Sequence, residues 1–433
     1  MNLDYELFRT FVPRMKVLII NTYERLGGAA VAANRLMEAL INNGVKAKML
    51  VMNKETSSIY VSATGFSLKK KWNFVWERFI IWLNNLCSRK NLWKISIANT
   101  GQDITSLTEF REANIIHLHW INQGFLSISS IKKILESGKT IVWTMHDMWE
   151  ATAICHHSYE CERFSKECSH CPFLRFPGRR DLSQRVFKYK LRMLEKASNL
   201  HFVTVSEWLA NRSRQSALIG RFPITVIPNT ISLSLFKAVN RIDARSSLNI
   251  NEPYVISFGA ARIDDPIKGF SYLIEALNKL VVIDKHFHSN DIRLLLFGGI
   301  RHPELLQQLP VSFTHLGYIN DESQLSLVYS ASNVTVSSSL YETFGQTLIE
   351  AQACGSVPVS FDGSGQADII DHLNTGYLAK RLSVESLAEG IEWGLHANIS
   401  AQQLRRKVCQ RYSDTVIANR YIQLYNTLPN TQA

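Results

Sequence analysis

No apolar run in this 433-residue chain approaches the ~20 residues that a membrane-spanning helix needs, so no such span is predicted. The opening stretch, MNLDYELFRTFVPR, carries Asp4 and Glu6 and lacks an apolar centre; this argues against a secretory leader and for a cytoplasmic protein. No internal repeat, low-complexity tract or recognised nucleic-acid module is present, and nucleic acid is not expected as a partner. Two phosphate signatures are missing as well. There is no G-x-G-x-x-G, and no D-x-D that would cage a catalytic divalent metal; the adjacent Asp264 and Asp265 are a poor substitute. Acidic residues are short in the first half only. Through Thr230, 32 Lys and Arg stand against 18 Asp and Glu, whereas the remainder has 16 against 19. The basic half suggests an anionic membrane surface, a phosphorylated acceptor or, as the weakest of the three, nucleic acid.

What is present suits a large α/β protein. At 46% apolar the chain can bury two cores. Strand-like and helix-like patterns alternate, which argues for parallel sheets with helical crossovers. Strands are expected near Val17–Ile20, Ala47–Val51, Ile115–His119, Thr140–Thr144, Phe202–Ser206 and Thr225–Ile227, then near Tyr254–Phe258, Leu294–Phe297, Thr314–Leu316, Val334–Ser337 and Val357–Ser360. Regular patterning lapses over 228–244, the expected boundary. The expected organisation is an extension over 1–14, a domain over 15–235, a second over 236–414, and a crossover helix and tail over 415–433.

The densest chemistry lies in Tyr341–Pro358, YETFGQTLIEAQACGSVP. A buried strand runs into a loop bearing Glu342, a helix follows from Gly345 to Ala353, and Glu350 sits about two turns inside it. Loops at the carboxyl ends of strands are where α/β sheets place ligands. The helix-start amides of Gly345, Gln346 and Thr347 are a ready phosphate site between the two acids. Carboxylates accept bonds from sugar hydroxyls, so the pattern fits a nucleotide sugar. In the stretch YVISFGAARIDDPIKGF, Arg262 and Lys268 follow another buried strand. Together they can neutralise a departing diphosphate without a metal.

The block E-x-F-G-x-x-x-x-E-A-x-A-C-G-x-x-P-V resembles the E-x7-E signature of family 4 retaining glycosyltransferases, and Arg262…Lys268-Gly269 resembles that family's R…KG element. The resemblance covers nearly the whole chain. It implies a GT-B fold: two Rossmann-like, doubly wound domains facing across a cleft, with a last helix, here Thr415–Leu428, crossing back to the first. It implies retaining transfer of a sugar from a UDP- or GDP-sugar to a glycan or lipid-linked acceptor, as in capsule, exopolysaccharide and colanic-acid assembly. Glu342, Arg262, Lys268 and His119 would be catalytic. Glu350 would hold the ribose, with Gly345, Gln346, Thr347 and the Gly27–Gly28 loop on the donor side. His146 and Asp147 would line the acceptor side. His117, on the same strand face as His119, is either a ligand or a packed core histidine. Other classes remain open: a GT-B epimerase or phosphorylase, or a zinc-stabilised nucleic-acid binder.

Two segments stand apart. CHHSYECERFSKECSHCP places Cys155, Cys161, Cys168 and Cys171 in one loop, with His156, His157 and His170 as substitute ligands. In a reducing compartment this favours structural zinc with no chemical role. The loop also resembles an insert of some capsule and exopolysaccharide transferases. Lys69–Lys94 is basic at both ends, and Trp72, Trp76, Phe79, Trp82, Leu83 and Leu86 share a helical face. That face either packs on the first sheet or lies on the inner surface of the plasma membrane.

Overall fold

The computed structural model describes residues 15–65, 67–283 and 286–429; the expected extension over 1–14 lies outside them. The chain divides into two compact units. One holds the described residues up to Pro228 together with those from Ile417 onward, and the other is Asn229–Val416.

The first unit is built on a seven-stranded sheet: β1 (Lys16–Tyr23), β2 (Lys46–Asn53), β3 (Val61–Ala63), β4 (Ile115–Leu118), β5 (Thr140–Met145), β6 (Leu200–Thr204) and β7 (Ile224–Val226). Their order is β3-β2-β1-β4-β5-β6-β7, and every pairing is parallel. The strands read as continuous apolar runs because helices cover both faces. In β5, for example, all six residues are buried. A helix at Asp414–Thr427 brings Ile417, Ala418, Tyr421 and Tyr425 into the same core as Ile19, Val142 and Val203.

The second unit repeats the plan with β8 (Tyr254–Arg262), β9 (Ile292–Gly299), β10 (Ser312–His315), β11 (Val334–Ser337), β12 (Val357–Phe361) and β13 (Tyr377–Ala379), ordered β10-β9-β8-β11-β12-β13 and again all parallel. In both sheets the winding direction reverses once, between β1 and β4 and between β8 and β11. Crevices for ligands open at the carboxyl ends of strands at such reversals. Two strands, β3 and β13, were not anticipated. Each is a three-residue edge strand, too short to show a period of two. Among the described residues no helix is long and apolar enough to cross a membrane.

Candidate active site

In the second unit the reversal point carries three of the four residues expected to be catalytic, Arg262, Lys268 and Glu342. Arg262 ends β8, and the turn after it carries Lys268 on the short helix Pro266–Lys268. Glu342 follows β11. Three contacts zip these loops together: Leu340 N donates to Ile267 O at 2.8 Å, and Ser338 Oγ donates to Gly269 O at 2.8 Å and to Lys268 O at 3.2 Å. Gly269 has φ +66°, and a Cβ there would stand 2.0 Å from Ser338 O, so only glycine lets the strands' ends approach this closely. The result is an ion pair between Lys268 Nζ and Glu342 Oε2 at 2.7 Å, both partly exposed. Arg262 Nη2 lies 2.8 Å from Asp265, and its Nε lies 3.5 Å from Asp264. Both cations are thus held by carboxylates at the mouth of the sheet.

The Asp264–Asp265 pair is a brace. Asp264 accepts from the amides of Arg301 and His302, each at 3.0 Å, and Asp265 caps Ile267 N at 3.2 Å. Sequence gave no hint of this, because those partners come from another loop.

The helix Gln346–Ala353 starts at Gly345, whose φ is +112° and which offers no capping side chain. A Cβ on Gly345 would press on Ile369 and Gln366 at 3.1 and 3.2 Å. The amides of Gln346 and Thr347 belong to the first turn, whose N–H groups have no intrahelical acceptor. The Gln346 Nε2 is buried without a hydrogen-bond partner among the described residues. Glu350 lies little more than one turn into this helix, not two. It is 6% exposed and accepts from Tyr329 Oη at 3.3 Å.

In the first unit the reversal point carries the other expected residues. Gly27, with φ +89°, caps the helix Gly28–Asn42 without a side-chain bond, and a Cβ at Gly27 or Gly28 would meet nothing within 4 Å. This loop is held by the fully buried Glu24, which accepts from Thr56 N at 3.0 Å and from the Thr56 hydroxyl. Burial alone would raise the Glu24 pKa, but these bonds bring it below the usual glutamate value.

His117 is a packed core histidine. Tyr425 Oη bonds its Nδ1 at 2.7 Å, Thr144 Oγ1 its Nε2 at 2.8 Å, and burial holds its pKa down to about 3. His119 is 1% exposed. Its Nδ1 lies 2.8 Å from His146 Nε2, while its own Nε2 is buried without a hydrogen-bond partner among the described residues. Burial depresses both, His146 to about 4. Asp147 is consumed by structure. It accepts from Trp120 Nε1 at 2.9 Å and Trp149 N at 2.7 Å and pairs with His156 Nδ1 at 2.7 Å. Burial pulls its pKa up, but the His156 and His157 imidazoles and the Trp149 amide together outweigh that and hold it at about 2.

The cysteine loop departs from expectation. All four thiols line one cavity of about 20 Å³, but among the described residues no three His, Cys, Asp or Glu side chains are disposed to share a metal ion. Cys155 and Cys171 are buried, whereas Cys161 and Cys168 are half-buried. Burial pushes the Cys168 thiol up to about 11 and the Cys171 thiol up to about 12. His156 cannot substitute, since Asp147 takes Nδ1 and Ser96 Oγ lies 2.9 Å from Nε2. The residues as placed do not fit the tetrahedral ion.

Comparison with known proteins follows the same division. Residues 26–235 match the family model described as Glycosyltransferase Family 4, and residues 240–411 match Glycosyl transferases group 1. The chain is a GT-B glycosyltransferase. Among relatives of this glycosyltransferase, the phosphatidyl-myo-inositol mannosyltransferase of Mycobacterium tuberculosis is 26% identical over 217 residues, 48% of this chain. That match spans 55% of the relative, so the chain aligns with about half the length of this relative. A capsular polysaccharide biosynthesis glycosyltransferase of Staphylococcus aureus is 23% identical over 56% of this chain and 66% of its own length. The structure of Anabaena HepE in complex with UDP and glucose superposes with a TM-score of 0.64 at 15% identity, over 96% of this chain and all of the other; at that identity the likeness is one of fold.

Proposed function

We propose that this glycosyltransferase moves a sugar, with retention, from a nucleotide diphosphate sugar to a glycan or lipid-linked acceptor in surface-polysaccharide assembly. The observation that carries the reading is the Lys268–Glu342 pair at the β8/β11 reversal, beside a helix start that has no side-chain cap. A diphosphate there would take the helix amides and draw Arg262 and Lys268 away from their carboxylates. Those cations then meet the negative charge that grows as the sugar–phosphate bond breaks. Glu342, released from Lys268, accepts from hydroxyls of the transferred sugar, and Glu350 from the ribose. His119 contacts the sugar through Nε2, whose lack of a hydrogen-bond partner among the described residues favours the assignment. No carboxylate suggests itself as a double-displacement nucleophile, so attack comes from the leaving-group face. The relatives named for mannosyl transfer and for capsule synthesis support the reaction class. So does the Anabaena neighbour with UDP and glucose bound.

A panel of UDP- and GDP-sugars tested for thermal stabilisation identifies the donor, because a ligand bound only by the folded state raises the melting midpoint. The anomeric configuration of the product should match that of the donor; an inverted product would overturn retention. Chelator should leave initial rates unchanged, and a strict need for added magnesium or manganese would remove Arg262 and Lys268 from their assigned role. Release of free sugar without acceptor, or dependence on inorganic phosphate, would point to epimerase or phosphorylase chemistry.

A further inference from the structure

The helix Ser67–Asn84 in the first unit is built inside out. A surface helix ordinarily turns its apolar stripe to the core. Here the inward face is mostly polar, with Ile81 as its fully buried apolar residue. Lys70 donates to Met52 O, Asn73 Oδ1 accepts from Thr100 Oγ1 at 2.7 Å, and Glu77 Oε1 accepts from the amides of Ile97 and Ala98, each at 2.8 Å. Arg78 donates to Ile95 O at 3.0 Å and pairs with Glu77 at 3.1 Å. A Cβ on Gly124 would stand 2.7 Å from Phe74 N, so the backbone itself sits hard against the neighbouring loop. These contacts fix the helix with Leu68, Trp72, Val75, Trp76, Phe79 and Leu83 all facing out. Trp72 is 63% exposed and Phe79 43%, and Trp72, Trp76 and Phe79 form a ladder with ring centroids 5.9 and 5.8 Å apart. Trp82, expected on this face, is only half-exposed at its edge.

We infer that this outward face docks on an anionic lipid surface. Exposed apolar patches of this extent mark interaction sites. Charge decides the kind of partner. From Leu68 to Lys94 the exposed charges are Lys69, Lys71, Arg89, Lys90 and Lys94, and the one acid, Glu77, is buried. At 3.6 residues per turn, Lys69 and Lys71 fall on opposite flanks of the ladder. Tryptophan between flanking lysines suits the headgroup boundary, where rings enter the acyl region and ammonium groups stay among phosphates. A second copy of the chain would oppose five cations to the same five, which disfavours self-association. The inference goes beyond the transfer chemistry and does not depend on which donor is used.

Sedimentation of the full chain with phosphatidylcholine vesicles, with and without about a third phosphatidylglycerol, tests it. The protein should pellet with the anionic vesicles and be released by salt, each cation near the surface strengthening partition about fivefold. Trp72→Ser with Trp76→Ser and Phe79→Ser should weaken binding at least about tenfold while leaving the melting midpoint in place, because the buried face is untouched. Lys69→Glu with Lys71→Glu should reduce binding to anionic vesicles selectively, and serves should the serine variant fail to fold. Wild-type protein that ignores anionic vesicles, or variants that bind as well as wild type, would refute the docking surface. A dimer in vesicle-free buffer that the serine variant dissociates would assign the face to a second copy instead.

Discussion

The two units share one topology and differ in how they treat charge. In the first, ionisable groups are buried against one another: His117, His119, His146, Asp147, Glu150 and Lys190 are all enclosed or nearly so. Lys190 donates to Trp149 O and Thr152 O and lies 3.2 Å above the Trp149 ring, and burial lowers its pKa to about 7. In the second, the key groups sit at the mouth of the sheet: Lys268, Glu342 and Arg262 keep part of their surface, and five of its six histidines are exposed, with His315 half-buried. A buried polar network fixes its residues in place, while a partly exposed ion pair can exchange partners. Equivalent positions on a doubly wound sheet therefore serve architecture in one unit and ligand capture in the other.

The sharpest way to break this contrast is to remove one group from each unit. Glu342→Ala and Lys268→Ala should each lower transfer by about two to three orders of magnitude, the scale set by one preorganised electrostatic group, with little change in melting. Near wild-type turnover from either would dissolve the contrast. His117→Ala should act through stability, at a cost of about 2–4 kcal/mol by chemical denaturation, because it leaves a cavity and removes the imidazole that the buried Tyr425 hydroxyl bonds.

Acid should find the same asymmetry with a smaller effect. Histidine in an unfolded chain titrates near 6.5, whereas folded His117 and His146 titrate at about 3 and 4. Between those values the unfolded chain binds more protons, so stability is whole above pH 6.5 and drains as pH falls through the folded values. Asp147, held at about 2, adds loss in the same direction at lower pH; Glu150, raised by burial and then by Asp147, opposes it. The melting midpoint should fall between pH 7 and 5, and His117→Asn should flatten that slope. An unchanged slope in the variant would free His117 from the account. Smallest of all, Gly28→Ala should shift stability by less than about 0.5 kcal/mol, since its Cβ meets open space, whereas Gly269→Ala should lower transfer measurably by parting the Lys268 and Glu342 loops.

Much of this was legible in the sequence. The run Val334–Ser337 is a strand to the residue, and the spacing from Glu342 to Gly355 fixed a loop, a helix start and a helix end. Apolar continuity and glycine placement are local properties, and local properties survive in a string of letters. Partners do not. Nothing near Asp264 in sequence announces the amides of Arg301 and His302, and nothing in CHHSYEC says that His156 will spend both nitrogens on Asp147 and Ser96. Cysteine spacing likewise does not fix where the thiols point. The helix Ser67–Asn84 shows the limit best. Its periodicity revealed a two-sided helix, but not which side faced the core; Met52, Ile97, Ala98 and Thr100 decided that from other segments.

The bond from Tyr425 to His117 has a consequence for biosynthesis. The first core needs Ile417, Ala418, Tyr421 and Tyr425, yet the whole of the second unit lies between these residues and β7. A ribosome adding about 5–20 residues per second takes on the order of 10–40 s to cross that interval. Through it the first sheet waits with a gap in its packing, His117 and Thr144 still lacking their tyrosine hydroxyls. The unit that begins synthesis first is thus the one completed last, and the second unit can close its own core while the first is still unfinished.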